Sequence, residues 1–291
     1  MLTSALQIGR SALAASSVGT SVIGNNIANA ATPGYSRQVV DLSALADQNW
    51  GRYFTGRGVE VNSVRRLVDQ ALQQRILGST SAEAGAQTDL NLLEGIENLV
   101  NSLSDSSLNN QLTKFFNSWS QLSSTPGETG ARSLVVQQGK SLAAALKTTR
   151  QGLSETRAQI DRDLNVSVAQ ANDLLKQVAS LNTQIVTAEQ GQGSAQSGAN
   201  ALRDQRDQLL TQVAQYLDIT TVPQPSGVVD VLVGSTPVVL AGQSRGLEVR
   251  TTVEGGQTRV AVQTTVNPEQ LNIRSGSIGS LLKNRDSAAD S

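Results

Sequence analysis

Between about Glu128 and Gln190 two apolar registers interleave at steps of three and four: Leu146, Leu153, Ile160, Ser167, Leu174 and Leu181 in one, Leu164, Ala171, Val178 and Ile185 in the other. Sustained spacing of this kind describes a helix with a continuous buried stripe. At 1.5 Å per residue it spans roughly 90 Å, longer than an ordinary globular helix. The chain therefore has to be built around a strut, with other elements laid along it. After a Gly/Ser/Gln-rich turn from Gly191 to Gly198, Asn200 to Leu217 returns as a helix, with Leu202, Leu209, Val213 and Tyr216 or Leu217 toward the strut.

The segments before the strut supply further helices. One begins near Ser63 and includes Leu67, Val68, Leu72 and Ile76, with Gly78-Ser79-Thr80-Ser81 either interrupting or softening it. Leu90, Leu93, Ile96, Leu99, Val100 and Leu103 continue at helical spacing, and Ser104-Asp105-Ser106-Ser107 is a helix-start signal. Leu108, Leu112, Phe115, Trp119 and Leu122 form the face of the next helix, which Thr125-Pro126-Gly127 ends; Phe115, Phe116 and Trp119 read as core. After Asp218 the period changes. Ile219–Val222, Val228–Val233, Val238–Leu240, Leu247–Val249 and Arg259–Val262 are short β-branched runs separated by Pro and Gly. Val39-Val40, Tyr53-Phe54 and Val59–Val61 are extended as well. The expected fold is mainly α with a smaller β-rich domain. It divides into an N-terminal heptad (coiled-coil) helix segment over 1–45, a long helical bundle over 46–218, an inserted β module over 219–273 and a return to the helical domain over 274–291.

The N-terminal helix carries its own puzzle. Leu6, Leu13, Thr20 and Ile27 form one seven-residue register and Leu2, Gly9, Ser16 and Ile23 the other. Together they make an a/d seam that buries little area and needs a partner helix. Nothing adjacent in sequence supplies one. Asn25, Asn26 and Asn29 crowd the last turns; Asn is a poor helix former whose amide both donates and accepts. They either fray the helix end or hold a neighbouring chain. Thr32-Pro33-Gly34-Tyr35 then reads as a type II turn, Pro33 setting φ and Gly34 taking positive φ. Pro33 also requires the helix to end at or before Ala31.

Composition removes several functions. Lys+Arg number 23 against 24 Asp+Glu, so no strong field draws nucleic acid or an anionic membrane. His and Cys are absent, which removes thiol nucleophiles, Cys/His zinc sites and the commonest general base. No apolar run is long enough to span a membrane, and no phosphate-cradling Gly-x-x-x-x-Gly-Lys pattern occurs. No cofactor, metal or catalytic residue is expected. Arg203-Asp204-Gln205-Arg206-Asp207 reads as a solvated, ion-paired helix face, with Arg203 and Asp207 one turn apart; the alternative, a carboxylate site for metal or acid/base work, has only two Asp to support it.

Asn25-Asn26-Ile27-Ala28-Asn29-Ala30, followed by Thr32-Pro33-Gly34-Tyr35-Ser36-Arg37-Gln38, resembles the N-terminal signature of the bacterial flagellar axial proteins of the rod, hook and hook-associated class. Tyr35-Ser36-Arg37-Gln38, Leu202 to Leu210 with Tyr216-Leu217-Asp218, and Ser275 to Leu282 with Arg285 resemble the hook-associated members at the hook–filament junction, in order along most of the chain. The resemblance implies a non-enzymatic, self-assembling structural subunit, exported without a cleaved signal through the flagellar type III channel. Its implied partners are copies of itself, the hook protein, a second junction protein on the filament side and an export chaperone; nucleic acid and membrane are not among them. Its N-terminal helix would pair with a C-terminal helix in an inner tube, making Leu2, Leu6, Leu13, Ile23, Asn25, Asn26, Ile27 and Asn29 the assembly interface. Thr32, Pro33, Gly34 and Tyr35 become the turn from inner tube to outer domain. No C-terminal heptad helix is present, so the chain reads as the N-terminal part of a longer protein, with the chaperone site in the absent region. A rod or hook protein sharing only the signature, and a coiled-coil adhesin or enzyme, are the alternatives.

Overall fold

The computed structural model describes residues 2–100, 107–190, 199–254 and 257–287. The Gly191–Gly198 turn, the loop at 101–106 and Gly255-Gly256 lie outside the described residues. The strut is present as one helix, α4 (Thr129–Gln190), of 62 residues. Along it lie α2 (Gln70–Val100), α3 (Leu108–Ser124), α5 (Asn200–Tyr216) and α6 (Gly276–Ser287). The N-terminal helix α1 (Leu2–Ala28) stands on an antiparallel pair, β1 (Gln38–Ala44) with β4 (Val59–Arg66); a small hairpin, β2 (Gln48–Trp50) with β3 (Tyr53–Thr55), lies between them in sequence. The β module comprises a sheet ordered β5 (Ile219–Pro223), β6 (Val229–Val233), β7 (Thr236–Leu240) and β8 (Gln243–Ser244), beside the hairpin β9 (Leu247–Glu254) and β10 (Gln257–Thr264).

The core follows the second register of the strut. Leu164, Ala171, Val178 and Ile185 are fully buried, joined by Ile160, Val168 and Leu175, and they meet Leu210, Val213 and Leu217 from α5 and Val231 and Val239 from the sheet. The first register is divided. Leu146 is exposed, and Leu174 and Leu181 are half-buried flanks. A heptad repeat drifts around a straight helix by about 20° per repeat, so one stripe cannot stay central over the whole length.

Several expectations are corrected. Ser63 is extended within β4, where alternating Val59, Val61 and Val64 pair with β1, and the helix starts only at Gln70. Gly78–Ser81 does not interrupt α2. Its buried positions are Leu77, Ser81 and Gly85, whereas Leu67, Leu72 and Ile76 are largely exposed. Small residues win there because α6 crosses closely. A Cβ on Gly85 would sit 3.4 Å from the backbone nitrogen and oxygen of Gly276 at the start of α6. Phe116 and Trp119 are more than half and half exposed, respectively, and Phe115 is half-buried, its ring edge-on to both. α3 touches only one side of α4, too thin a layer to enclose aromatic side chains. Ser107 does cap α3, accepting from Asn110 N at 3.3 Å.

Buried Leu175 and exposed Leu13 set a direct contrast. Leu175→Ala should lower unfolding free energy by about 2–5 kcal/mol, and Leu13→Ala should stay within about 0.5 kcal/mol, both read by urea denaturation of the monomer.

The docking of α6 carries a pH dependence. Asp89 on α2 accepts hydrogen bonds from Ser280 Oγ and from Asn284 Nδ2 (2.5 Å), with Lys283 Nζ at 3.7 Å. The Ser280 bond above all, against some desolvation and with help from Asn284 and Lys283, holds this carboxyl below its ordinary value. A carboxylate lowered by folding contributes its stability above the unfolded value of about 4 and loses it as pH falls through the lowered folded value. The protection of α6 amides against hydrogen exchange, taken relative to the intrinsic rate at each pH, should fall on acidification below about pH 4, and less so in Asp89→Asn.

Candidate assembly surface

The helix α1 has two faces, and they do different things. Ser11, Ala15, Val18, Gly19, Val22 and Asn26 are its buried and half-buried positions, and this face lies on β1 and β4. Small side chains allow the approach: Ser11 Oγ donates to Ile8 O and accepts from Val59 N at 3.2 Å. At 3.6 residues per turn the seam positions centre roughly 150° away around the helix. There Leu6 is 78%, Leu13 74%, Ile23 60% and Ile27 72% exposed. The structure thus places these four on one outward face, and among the described residues nothing covers them. The side chain of Leu2 lies outside the described residues.

The asparagines separate from one another. Asn26 is turned inward: its Nδ2 donates to Gln38 O (2.8 Å), and its Oδ1 accepts from Gln38 N (2.9 Å) and from Tyr35 Oη (2.8 Å). Its amide is used within the chain, contrary to a contact with a neighbour. Asn29 Nδ2 donates to Asn25 O and Oδ1, and Asn29 Oδ1 accepts from Thr32 Oγ1. These bonds stay local to the helix end. Asn25 is exposed, but at 3.6 residues per turn it flanks the inner face and lies well away from the seam positions.

The turn has the expected form. α1 ends at Ala28, Tyr35 N donates to Thr32 O (3.2 Å), and Gly34 has φ +78°. The turn is held against α5, because Gln208 Nε2 donates to Pro33 O at 2.5 Å. Burial, and secondarily the charge of Asp204, pushes the Tyr35 phenol up from its ordinary value. Close by, Arg66 at the end of β4 bonds Asp204 (2.7 Å) and Asp207 (2.8 Å). The segment Arg203–Asp207 is therefore not a solvated face. Asp204 and Arg206 are buried, Arg203 pairs with Glu189 of α4, and Asp207 pairs with Arg66 rather than with Arg203 one turn away. Their partners come from 14 to 141 positions away in sequence, Glu189 from Arg203 and Asp207 from Arg66, so no local spacing announces them.

Sequence reading also missed the inner face of α1 and three more structural asparagines. Asn182 Nδ2 donates to Val229 O and its Oδ1 accepts from Val229 N and from Arg206 Nη1. Asn172 makes the same paired contact with Leu247, and Asn200 donates to Val64 O. The 3–4 spacing of Ser11, Ala15, Val18 and Val22 was the available signal, hidden by their small size. Among the described residues no group of acidic side chains could hold a metal, and no helix is long and apolar enough to cross a membrane.

Comparison with known proteins accounts for both parts of the chain. Residues 93–291 match the flagellar hook-associated protein FlgK helical domain, and residues 6–35 match the flagella basal body rod protein. Flagellar hook-associated protein 1 of Bacillus subtilis is 32% identical over 231 residues, covering 76% of this chain and 44% of that protein. Its namesake in Salmonella typhimurium is 29% identical over 296 residues, covering 99% of this chain and 53% of that protein. The chain thus spans about half the length of these curated relatives. The solved structure of the flagellar hook junction protein FlgK from Burkholderia pseudomallei superposes with a TM-score of 0.62 at 21% identity, over 73% of this chain and 39% of that one, and shares the fold. With the helical-domain match running over well more than half of its residues, the chain belongs to the family of the flagellar hook-associated protein FlgK.

Proposed function

We propose that this chain forms part of a structural, non-catalytic subunit of the bacterial flagellum that joins hook to filament. In this reading the protein is exported by the type III route and assembles outside the cell into an axial ring or tube. The observation that carries it is the two-faced helix α1. Its inner face is already committed to β1 and β4, while Leu6, Leu13, Ile23 and Ile27 present a separate heptad seam to the outside. Exposed apolar residues at regular heptad spacing mark a helix made for pairing. The partner helices would come from copies of the same protein and from a C-terminal segment like that of the full-length relatives. The hook protein on one side and a filament-side junction protein on the other complete the neighbours, and the export chaperone acts before assembly. The proposed units remain 1–45, 46–218, 219–273 and 274–291. A general rod protein would share the match over residues 6–35, but the helical-domain match over 93–291 favours the hook-associated subunit.

Placed in the full-length protein, Leu13→Asp should abolish incorporation into the hook–filament junction while leaving the circular dichroism melt of the monomer unchanged. A carboxylate buried in a paired seam without a partner costs several kcal/mol, whereas the monomer leaves residue 13 in water. Normal filaments on a strain carrying this variant would refute the pairing role. In the free monomer, α1 amides should exchange faster than those of residues 150–185.

Asn26→Ala removes three hydrogen bonds that fix the turn to β1. It should speed exchange at the Gln38 amide by a factor matching about 1–3 kcal/mol, without altering the core around α4. Amide exchange followed by NMR separates the two regions.

A further inference from the structure

One flank of the strut is filled at one end and bare at the other. At about 100° per residue, Val136, Gly139, Leu146, Arg150, Arg157 and Asp161 fall within about 80° of one another around α4. The C-terminal part of this flank holds α6 and β10. Arg285 Nε donates to Asp161, and Arg157 Nη2 and Arg285 Nη1 both donate to Thr258 O (3.1 and 3.0 Å). The N-terminal part meets α3. The ring of Phe115 lies 3.4 Å from where a Cβ would stand on Gly139, and Phe116 and Trp119 approach that ring edge-on. Phe116, Trp119, Val136 and Leu146 are all half or more exposed. α3 and α4 thus form an apolar groove with a glycine on its floor, and among the described residues nothing covers it.

The direction of α6 leads to this groove. Ser275 Oγ lies 2.5 Å from Ser81 Oγ, and Ser280 and Asn284 reach Asp89, so α6 runs parallel to α2. α2 in turn brings Leu99 against Gly152 of α4. Both helices therefore run along α4 toward its N-terminus. Arg285 is level with Asp161. From there the distance along α4 is roughly 22 Å to Leu146 and roughly 37 Å to Val136. A helix on the line of α6 covers these distances in about 15 and about 25 further residues. The curated relatives are about twice as long as this chain, so a chain of that length has far more residues than the groove requires.

We propose that in the full-length protein the stretch directly beyond residue 291 forms a helix on the line of α6 and lies in the groove between α3 and α4, against Leu146, Gly139, Val136, Trp119 and Phe116. Its inner face is then apolar at steps of three and four, and Gly139 admits it closely. Arg150, between Leu146 and Arg157 on the same flank, calls for an acidic side chain level with it. The exposed aromatic cluster of α3 becomes interior once this third helix is in place. A second copy of the chain would have to bring a helix in from outside, whereas α6 already points along the groove. The inference needs only the greater length of the relatives and is independent of how α1 pairs.

Oxidation of Trp119 by hydroxyl radicals, read by mass spectrometry, tests the cover. It should be severalfold slower in the full-length protein than in the 291-residue chain. Leu146→Asp should return the full-length protein to the faster rate without moving the melt of the 291-residue chain, where this side chain is half exposed. Paired cysteines locate the segment, since these 291 residues contain none of their own. In the full-length protein, Ala143→Cys should form an intramolecular disulfide with a cysteine placed within two helical turns of about position 303, because the bond needs Cα atoms within about 7 Å. Equal oxidation rates in the two proteins, no effect of Leu146→Asp on Trp119, or no disulfide anywhere in that scan would overturn the proposal. Slower oxidation of the 291-residue chain as its own concentration rises, or disulfides formed only between molecules, would assign the groove to a second copy and overturn it as well.

Discussion

Helix and strand have to be joined here without a thick core, and side-chain amides do the joining. A carboxamide carries a donor group and an acceptor group side by side, and so can meet the N–H and C=O that a strand residue presents at an open edge. Asn182 of α4 uses both on Val229, Asn172 uses both on Leu247, and Asn26 of α1 uses both on Gln38. Asn200 of α5 donates to Val64 O. Each bond satisfies strand backbone that would otherwise lack a partner beside a helix, and it fixes orientation in a way that apolar contact does not. Aromatic residues are 3% of the chain, so large apolar side chains are not available to set these angles. The strut can therefore carry sheet modules on its flank while most of its length remains a single thin layer.

Asn182 also connects this joinery to the charged network. Its Oδ1 accepts from Arg206, whose Nη1 reaches Gly227 O as well. One guanidinium thereby ties α5, α4 and the β5–β6 turn together. Beside it Arg66 gathers Asp204 and Asp207 and binds β4 to α5, and Gln208 binds the Pro33 turn to the same helix. The base of α1 thus rests on α5 through charge-assisted and amide bonds. Breaking one member of a buried ion pair costs more than the pair contributes, because the remaining charge is left without compensation. A support of this kind holds its geometry strictly.

What was legible in the sequence was whatever repeats. The strut, the run of β strands after Asp218, the turn at Thr32–Tyr35 and the outward heptads of α1 all rest on periodicity or on Pro and Gly chemistry, and each is present in the fold. The inner face of α1 was not legible, since Ser11, Ala15 and Val18 carry too little apolar weight to mark a stripe. The segment from Arg203 to Asp207 was misjudged for a different reason. A local rule pairs charges one turn apart, but Arg66 and Glu189 are brought in by the fold and offer stronger, drier contacts. Phe116 and Trp119 failed in the opposite direction. Their apolar character promised burial, and the single layer of α3 on α4 leaves too little around them to provide it.

On the proposed function, the two faces of α1 bear on how such a chain could stay apart from its copies before assembly. A helix with a single apolar stripe has to choose between its own domain and a partner. Here the choice is not forced, because Ser11, Ala15, Val18 and Val22 hold the helix on β1 and β4 while the leucines and isoleucines stay free. Small residues give close approach but little buried area, so the intramolecular hold is weak per residue. The outer seam is broken by Gly9, Ser16 and Thr20, which limits its own apolar area and keeps premature association weak. Several such helices in register would bury each seam on two sides, and the gain then grows with the number of neighbours. Under the proposed function, a helix of this design stays folded but leaves its outer seam uncovered in the free chain, and ring-like packing would cover it.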